Sequence, residues 1–579
     1  MTQRVVRLND QAAPRPTTNP LSETSTPPEA DHVGEEVDLV IVGAGLSGLA
    51  TAYYYQHRFG PTARILLLDT AEHVGGMTRR IELEVDGHRL VTYGGAAALN
   101  GTRSWASHVS RRFFADLGID LSSARPDDQD QASPFALRSS IFFDRETYGE
   151  SRLVVGDWPA GNVGPSDRDQ ILRWVGQFPY APEQKAAIAD LWLSDRVTLG
   201  HLNPDTRRNY LERTSYRSFL RNDWGLDAGA VDLFTRRTIG IFGSPAACVP
   251  ALECMRVGLP GFNAVGVDGL DRYRWLDEPE IRFPDGLATV ARLALERIEP
   301  ATTGGRLDAE TLDSPRNKVR VRLASTVVRI QNVDDGVEVD YLRDGEVYRV
   351  RSEHCVYAGA ARTLPDILPE VGDEQRHSLS RVVKPPMCYV KVALRNWRAF
   401  AELGIRDASS PGAFFYKLEL DQTIVGGGQR SDPDEPAVVL LCHRPVVDPN
   451  EQDYRREAAA AQEAMFATSA EDYRDAVEDQ LGRILGSTGF DPEETIAAVS
   501  VNRWPHTYSP TVNTLTDEPA AYAREMLVSR RPVGRMTIAG VDSHRFGWAQ
   551  AAVDAAERAV NELPSGGPEL LFDAIMSAR

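Results

Sequence analysis

The residues best suited to chemistry in this 579-residue chain lie in glycine-rich stretches near its two ends. Gly43-Ala44-Gly45-Leu46-Ser47-Gly48 has the Gly-x-Gly-x-x-Gly spacing that cradles a pyrophosphate. Gly43 permits a tight turn, Gly45 lets backbone approach the phosphates, and Gly48 lets a helix pack on a strand. Asp69 follows at the distance where an acid accepts a hydrogen bond from a ribose hydroxyl. Gly75-Gly76 come next, and Gly94-Gly95 end a strand, where backbone can lie flat against a planar group. A β-bulge is the other reading of that second pair. Near the far end, Gly540 and Asp542 precede Ala549-Gln550 and an alanine-rich helix. That is a second helix N-terminus able to face a phosphate or a ribityl chain. Two such termini and a glycine pair suit one long cofactor lying between them. FAD is such a cofactor, whereas NAD uses only the first unit.

These residues need a scaffold. The β-branched run over residues 37–42 predicts a buried parallel strand, residues 49–59 a helix and residues 66–68 a second strand. Residues 81–93 alternate about Asp86-Gly87 and predict a hairpin. Residues 101–280 read as an inserted, mostly helical region, with helices near 103–117, 166–178, 182–193 and 204–224, and with a Gly-, Pro- and Cys-dense segment over 240–266 looping near the ligand site. A Pro284-Asp285-Gly286 turn, a helix over 287–298 and strands at 319–323, 326–333, 337–342, 347–351 and 354–360 return the chain to the nucleotide-binding sheet. Residues 366–529 leave it again, with strands at 387–394, 438–442 and 499–504 and a long helical region over 457–485. A strand over 536–539 and a helix to residue 563 complete the expectation. The fold class is α/β. A Rossmann-like FAD-binding domain (35–100, 281–365, 530–565) is interleaved with an α+β substrate or cap domain (101–280, 366–529), and tails run over 1–34 and 566–579.

Composition narrows the function. The net charge of −19 disfavours a nucleic-acid footprint, which needs a basic face. The 64 basic residues include only five lysines: Lys185, Lys318, Lys384, Lys391 and Lys417. The five cysteines have neither disulfide nor metal-ligand spacing, so no metal site is expected and a reducing, cytoplasmic setting is the default. No run of 18 apolar residues occurs, so no membrane span is expected. Residues 1–34, rich in Pro, Thr, Ser and acids, read as a mobile tail and not a signal peptide.

The nucleotide motifs resemble those of the flavin amine oxidase superfamily. Several segments are more similar to spermidine dehydrogenase-like flavoproteins: Gly75-Gly76-Met77-Thr78-Arg79-Arg80, Phe283-Pro284-Asp285-Gly286, the stretch from Val390 to Trp397, Asn502-Arg503-Trp504-Pro505-His506, and the helix from Ala551 to Leu563. The resemblance implies an FAD domain of the amine oxidase (GR2) type. It implies that Gly43, Gly45 and Gly48 hold the pyrophosphate and Asp69 the adenosine ribose. Arg79 or Arg80 would pair with phosphate, and Gly94 and Gly95 would lie beside the isoalloxazine ring. Asp542 would meet the pyrophosphate or ribityl chain, and Ala549-Gln550 the pyrimidine end. Val541-Asp542 departs from the usual Ser-Asp or Gly-Asp, and no haem ligand pair can be named.

Few catalytic residues are expected, because a flavin accepts the hydride and the protein supplies position, dryness and electrostatics. An amine reacts as its neutral form, which aromatic walls favour; Trp504 and Trp548 are candidates for such walls, and core packing is their other role. His506 is a general base, a substrate donor or a structural histidine. Lys391 holds a water at flavin N5, as in many amine oxidases, or is an edge-strand surface lysine. The expected function is FAD-dependent removal of a hydride from a carbon next to an amine nitrogen, with O₂ or another acceptor reoxidising the flavin and a homodimer as one assembly. The rivals are oxidation or desaturation of a specialised metabolite on the same fold, an NAD-dependent dehydrogenase, and a nucleotide-binding protein without activity.

Overall fold

The computed structural model describes residues 7–12, 30–124, 135–159, 167–262, 265, 272–304, 307–421, 432–509 and 511–564. Two β-sheets dominate. The first has the strand order Val319–Arg322, Ile65–Leu68, His32–Val42, Glu346–Tyr357, Gly336–Arg343, Thr326–Val333, and Met536–Ile538 pairs with the end of Glu346–Tyr357. Its first four strands and Met536–Ile538 run parallel, while the last two form antiparallel hairpins. Period-two alternation divides the central strand between two cores. Leu39 and Ile41 pack under the helices Leu46–Phe59, Ala288–Ile298 and Ala549–Asn561; Val40 and Val42 face the other side, with Val339 and Leu364. This is the Rossmann-like half. The C-terminal ends of its parallel strands, at Val42, Leu68 and Tyr357, open on one cavity, as the open α/β architecture dictates.

The second sheet has eight strands, in the order Arg7–Ala12, Ile496–Trp504, Met387–Leu394, Ala437–His443, Lys417–Leu420, Asp407–Ser409, Ser140–Phe143, Arg152–Val155. One face buries Val390, Val392, Leu418, Leu441 and Val499 against the helix Ala470–Leu485. The helical region rests on an aromatic core containing Trp174, Trp192, Tyr216, Phe219 and Phe234. Asn203, Ser215 and Asp227 start its helices by accepting from the N–H three residues on.

Several expectations need correction. Residues 1–34 are not all tail: Arg7–Ala12 lies parallel to Ile496–Trp504, and His32–Val42 begins inside that range. Residues 566–579 lie outside the described residues. The helix expected over 204–224 breaks at Ser215, whose side chain caps a new helix, Tyr216–Asn222. The helical region over 457–485 is two helices, Tyr454–Ala467 and Ala470–Leu485, split by a Ser469–Asp472 capping box. The strands Ser140–Phe143 and Arg152–Val155 were not foreseen in the helical region. The hairpin Arg80–Val85/His88–Tyr93 packs Ile81, Leu83 and Val85 on Ala393, Val438 and Ala498 of the second sheet. All five cysteines are buried and free. Among the described residues no helix is long and apolar enough to cross a membrane, and no group of His, Cys, Asp and Glu could hold a metal ion.

Candidate active site

A cavity of about 960 Å³ lies between the two sheets. That is at the upper end of the roughly 300–1,000 Å³ usual for small-molecule sites. Its first wall is the turn from Val42 into the helix Leu46–Phe59, with Gly43, Gly45, Leu46 and Ser47 all lining it. Each glycine is there for a different reason. A Cβ on Gly48 would lie 1.9 Å from the carbonyl oxygen of Gly43, so the helix could not sit on the strand. Gly43 has φ of 108° and backs onto the carbonyl of Ala358. Gly45 is extended, with φ of −71°, and its Cβ would meet nothing nearer than the Cα of Gly76 at 3.9 Å. The folded chain does not require glycine at 45; a ligand approaching the backbone would.

Asp69 lines the same wall and accepts from the backbone N–H groups of Ala44 (2.6 Å) and Ala71 (2.8 Å). Burial pushes its carboxyl above the usual range despite these two bonds. The C-terminal unit closes on this wall: the hydroxyl of Ser47 donates to the carbonyl of Ala552, and the N–H of Gly540 donates to Ser47 (2.8 Å). Gly540, Asp542 and Ala549 line the cavity together with Gly75, Gly76 and Gly95. Segments more than 400 residues apart therefore meet around one space, and the donor set fits a dinucleotide: open backbone at a helix N-terminus, an acid at the next strand end, and a second helix N-terminus opposite.

Not every expected residue reaches the cavity. Ala44 gives its N–H to Asp69 and, like Gly48, lies behind the lining. Arg80 is bound by Asp285 (2.9 Å) and Glu82 (2.8 Å), so it is spent on the hairpin and not on a phosphate. Arg79 lies 5.5 Å over the Trp504 ring beside His73, with its Nη1 buried and without a partner. Gln550 donates to the carbonyl of Asn100 (2.7 Å) and does not line the cavity. Gly94 lies behind Gly95: its carbonyl accepts from the Trp504 indole (2.7 Å), and a Cβ there would strike Asn502.

Lys391 is neither at an edge nor on the cavity. Met387–Leu394 lies between Ala437–His443 and Ile496–Trp504, and the Lys391 side chain is 0% exposed. Its ammonium binds Asp421 at 3.1 Å and lies 3.5 Å from the centre of the Tyr93 ring. Thr92 also donates to Asp421.

The opposite wall carries Trp504, His506, Tyr389, Tyr416, Lys417 and Glu419. Trp548, which precedes the helix Ala549–Asn561, lines both this cavity and a side chamber of about 190 Å³. It is one of four rings in contact: Trp105 lies 4.4 Å from Trp548, 4.7 Å from Trp275 and 5.1 Å from Phe546. Trp105 and Trp275 come from two distant segments that no spacing in the chain announces, whereas Phe546 stands two residues before Trp548.

His506 has a buried Nε2 without a partner. Burial, reinforced by the Lys384 cation, drops its pKa to about 3. Lys384 binds Asp542 at 2.9 Å; Asp542 also accepts from the Ser509 hydroxyl and the Ala361 N–H. Burial works against the Asp542 carboxylate, but Lys384 and the hydrogen bonds from Ala361 and Ser509 together outweigh it and hold the pKa below the usual range. His506 is therefore neutral across the working pH range, a hydrogen-bonding group and a feeble base. His443, stacked 4.0 Å from Phe414, is likewise driven down to about 3 by burial. Unfolded histidine titrates near 6.5. Between these values the unfolded state binds more protons, so this contribution to stability is complete above about pH 6.5 and is lost as pH falls toward 3, at about 1.4 kcal/mol per pH unit for each ring. Melting temperatures followed from pH 7 to 5 should fall, and His506→Asn should flatten part of the slope.

A family profile described as an NAD(P)-binding Rossmann-like domain matches residues 41–117. No curated protein matches the chain in sequence. Among solved structures, putrescine oxidase bound to putrescine is similar at 16% identity and a TM-score of 0.51, covering 94% of this chain and 100% of that one. Cyclohexylamine oxidase from Brevibacterium oxydans IH-35A is similar at 15% identity and 0.53, covering 91% and 98%. A protein assigned as a protoporphyrinogen oxidase from Exiguobacterium sp. 255-15 is similar at 16% identity and 0.54, covering 92% and 98%. The chain shares its fold with these oxidases over nearly its whole length.

Proposed function

We propose that the protein is an FAD-dependent amine oxidoreductase: FAD lies along the glycine-lined wall, and an amine with a hydrogen on the carbon next to nitrogen sits against the second sheet. Held by the Gly43–Ser47 turn and the Gly540–Ala549 segment, FAD would supply the acceptor for a hydride from the carbon next to nitrogen, giving an imine, with O₂ or another acceptor as the final oxidant. The observation that carries this reading is Gly45, a glycine whose missing side chain serves no packing purpose, facing a cavity that the C-terminal unit also lines. The shared fold with putrescine and cyclohexylamine oxidases supports an amine as the substrate.

This chain's own residues prepare the amine. Trp504 and Trp548 offer aromatic faces, which exclude water and favour the uncharged nitrogen that the reaction needs. Neutral His506 can hydrogen-bond substrate without competing for its proton. Lys384 and Asp542 neutralise each other, so neither presents a bare charge to the chamber.

Anaerobic mixing of the purified holoprotein with a panel of amines is expected to bleach the 450-nm flavin band with at least one class. Bleaching by a non-amine class alone would overturn the amine assignment. Trp548→Ala is expected to raise the half-saturating amine concentration about tenfold or more, the scale of one lost aromatic wall. Steady-state titration checks this.

A further inference from the structure

Resting on that reading, we propose that the substrate carries an aryl ring at the end away from its amine, and that the side chamber beside Trp548 receives the ring. The chamber adjoins the main cavity: Ile241, Trp275, Tyr508, Gly547 and Trp548 line both. Its other walls come largely from the helical region. Phe242, Val249, Pro250 and Val257 belong to the Gly-, Pro- and Cys-dense segment over 240–266, and Trp105 and Phe546 add to the apolar surface. An apolar cavity of about 150 Å³ is enough to admit benzene. The chamber, at about 190 Å³, therefore has room for one ring and little more. The rings of Trp105, Trp275, Phe546 and Trp548 stand tilted or edge-on to one another, with centroids 4.4 to 5.7 Å apart in the contacts that Trp105 and Trp275 make. Such a surface offers an incoming ring the offset and edge-to-face contacts that aromatic pairs prefer.

The polar groups of the chamber are committed to one another. Among the described residues Glu253 is the one charged side chain on its lining. It accepts from the Tyr273 hydroxyl, and the Arg256 guanidinium lies 3.7 Å away. The Ser509 hydroxyl donates to Asp542, the Asn513 amide to the carbonyl of Cys248, and the Tyr508 hydroxyl to the carbonyl of Gly240. The second ammonium of a diamine, placed here, would leave water for a space whose single acid is already met by a phenol and a cation. A neutral ring gives up no polar hydration on entry and gains apolar contact on several sides. Because Trp548 lines both spaces, a substrate that bridges them passes beside its indole and keeps its nitrogen in the main cavity.

The test uses the FAD-loaded protein and two matched series of amines. Phenylalkyl amines are compared with diamines of the same chain length, so that only the far end differs, a ring against an ammonium. The half-saturating concentration for flavin reduction is expected to be about tenfold or more lower for the best phenylalkyl amine, the scale of burying one ring. Val257→Phe, which fills the chamber, is expected to erase that preference. Phe546→Ala, which widens it, is expected to move the preference from phenyl to naphthyl, and it decides the matter if Val257→Phe does not fold. Equal use of the two series, or a preference unchanged in both variants, overturns the proposal. Benzyl alcohol, which has the ring but no nitrogen, is followed separately by equilibrium dialysis. Saturable binding that is lost in Val257→Phe supports the chamber even if no amine reduces the flavin, an outcome that would sink the amine reading alone. Binding that is absent, or unchanged in that variant, counts against it.

Discussion

Gly45→Val is expected to fold and melt like the parent apoprotein and to purify colourless. The reasoning is geometric. Glycine is forced at Gly48, where a Cβ would lie 1.9 Å from a backbone oxygen, but not at Gly45, where the nearest atom is 3.9 Å away and φ is ordinary. Valine at 45 therefore projects into open cavity and takes the space where the phosphates approach backbone. Occupancy by FAD should drop below about a tenth of the wild-type level, a loss of more than ~1.4 kcal/mol in binding. Gly48→Val should behave differently. It lifts the helix from the strand, adding an overpacking cost of about 1–3 kcal/mol or more, so both the melting temperature and the flavin content fall. Thermal melts of the apo forms, together with the flavin-to-protein absorbance ratio, separate the two. A Gly45→Val protein that keeps its flavin would show that the phosphates do not lie there.

Lys391→Met is expected to cost stability and to spare chemistry. The ammonium and the Asp421 carboxylate are 0% and 1% exposed. Removing one partner of such a pair costs about 3–5 kcal/mol, because the remaining charge stays buried. A drop of that size should appear in denaturant unfolding, while molecules that retain FAD reduce at the parental rate. A rate loss of about a hundredfold or more with unchanged stability is what a proton-transfer or water-holding role would give instead.

Lys391 also marks the limit of what was legible in the sequence. Its partner Asp421 lies on another segment, and the strand's central place in the sheet depends on two neighbours, one of them about a hundred residues away. Neither fact is local, so an interior lysine read as an edge lysine. Arg80 was misassigned for the same reason: its acid, Asp285, is 205 residues distant. By contrast, the Gly43–Gly48 turn was readable from the local spacing of its glycines, two of which answer steric demands of the turn itself, and the apolar runs placed the strands of the first sheet, although those expected over 347–351 and 354–360 are one strand, Glu346–Tyr357. The strand Arg7–Ala12 lay hidden in a stretch whose composition resembles a linker. Trp105 and Trp275 had no signal, since only folding joins them to Trp548. Lys384 and Lys417 did have one: lysine is rare in this chain, and its rarity could have singled them out.

The claim on which the rest depends is that distant parts of the chain close around one flavin dinucleotide. Its most direct test is the visible spectrum of the freshly purified protein, with the coenzyme released by heat and identified by chromatography. One FAD per chain, with bands near 375 and 450 nm, is the predicted result. A colourless protein that releases NAD, or no nucleotide after incubation with FAD, would contradict it.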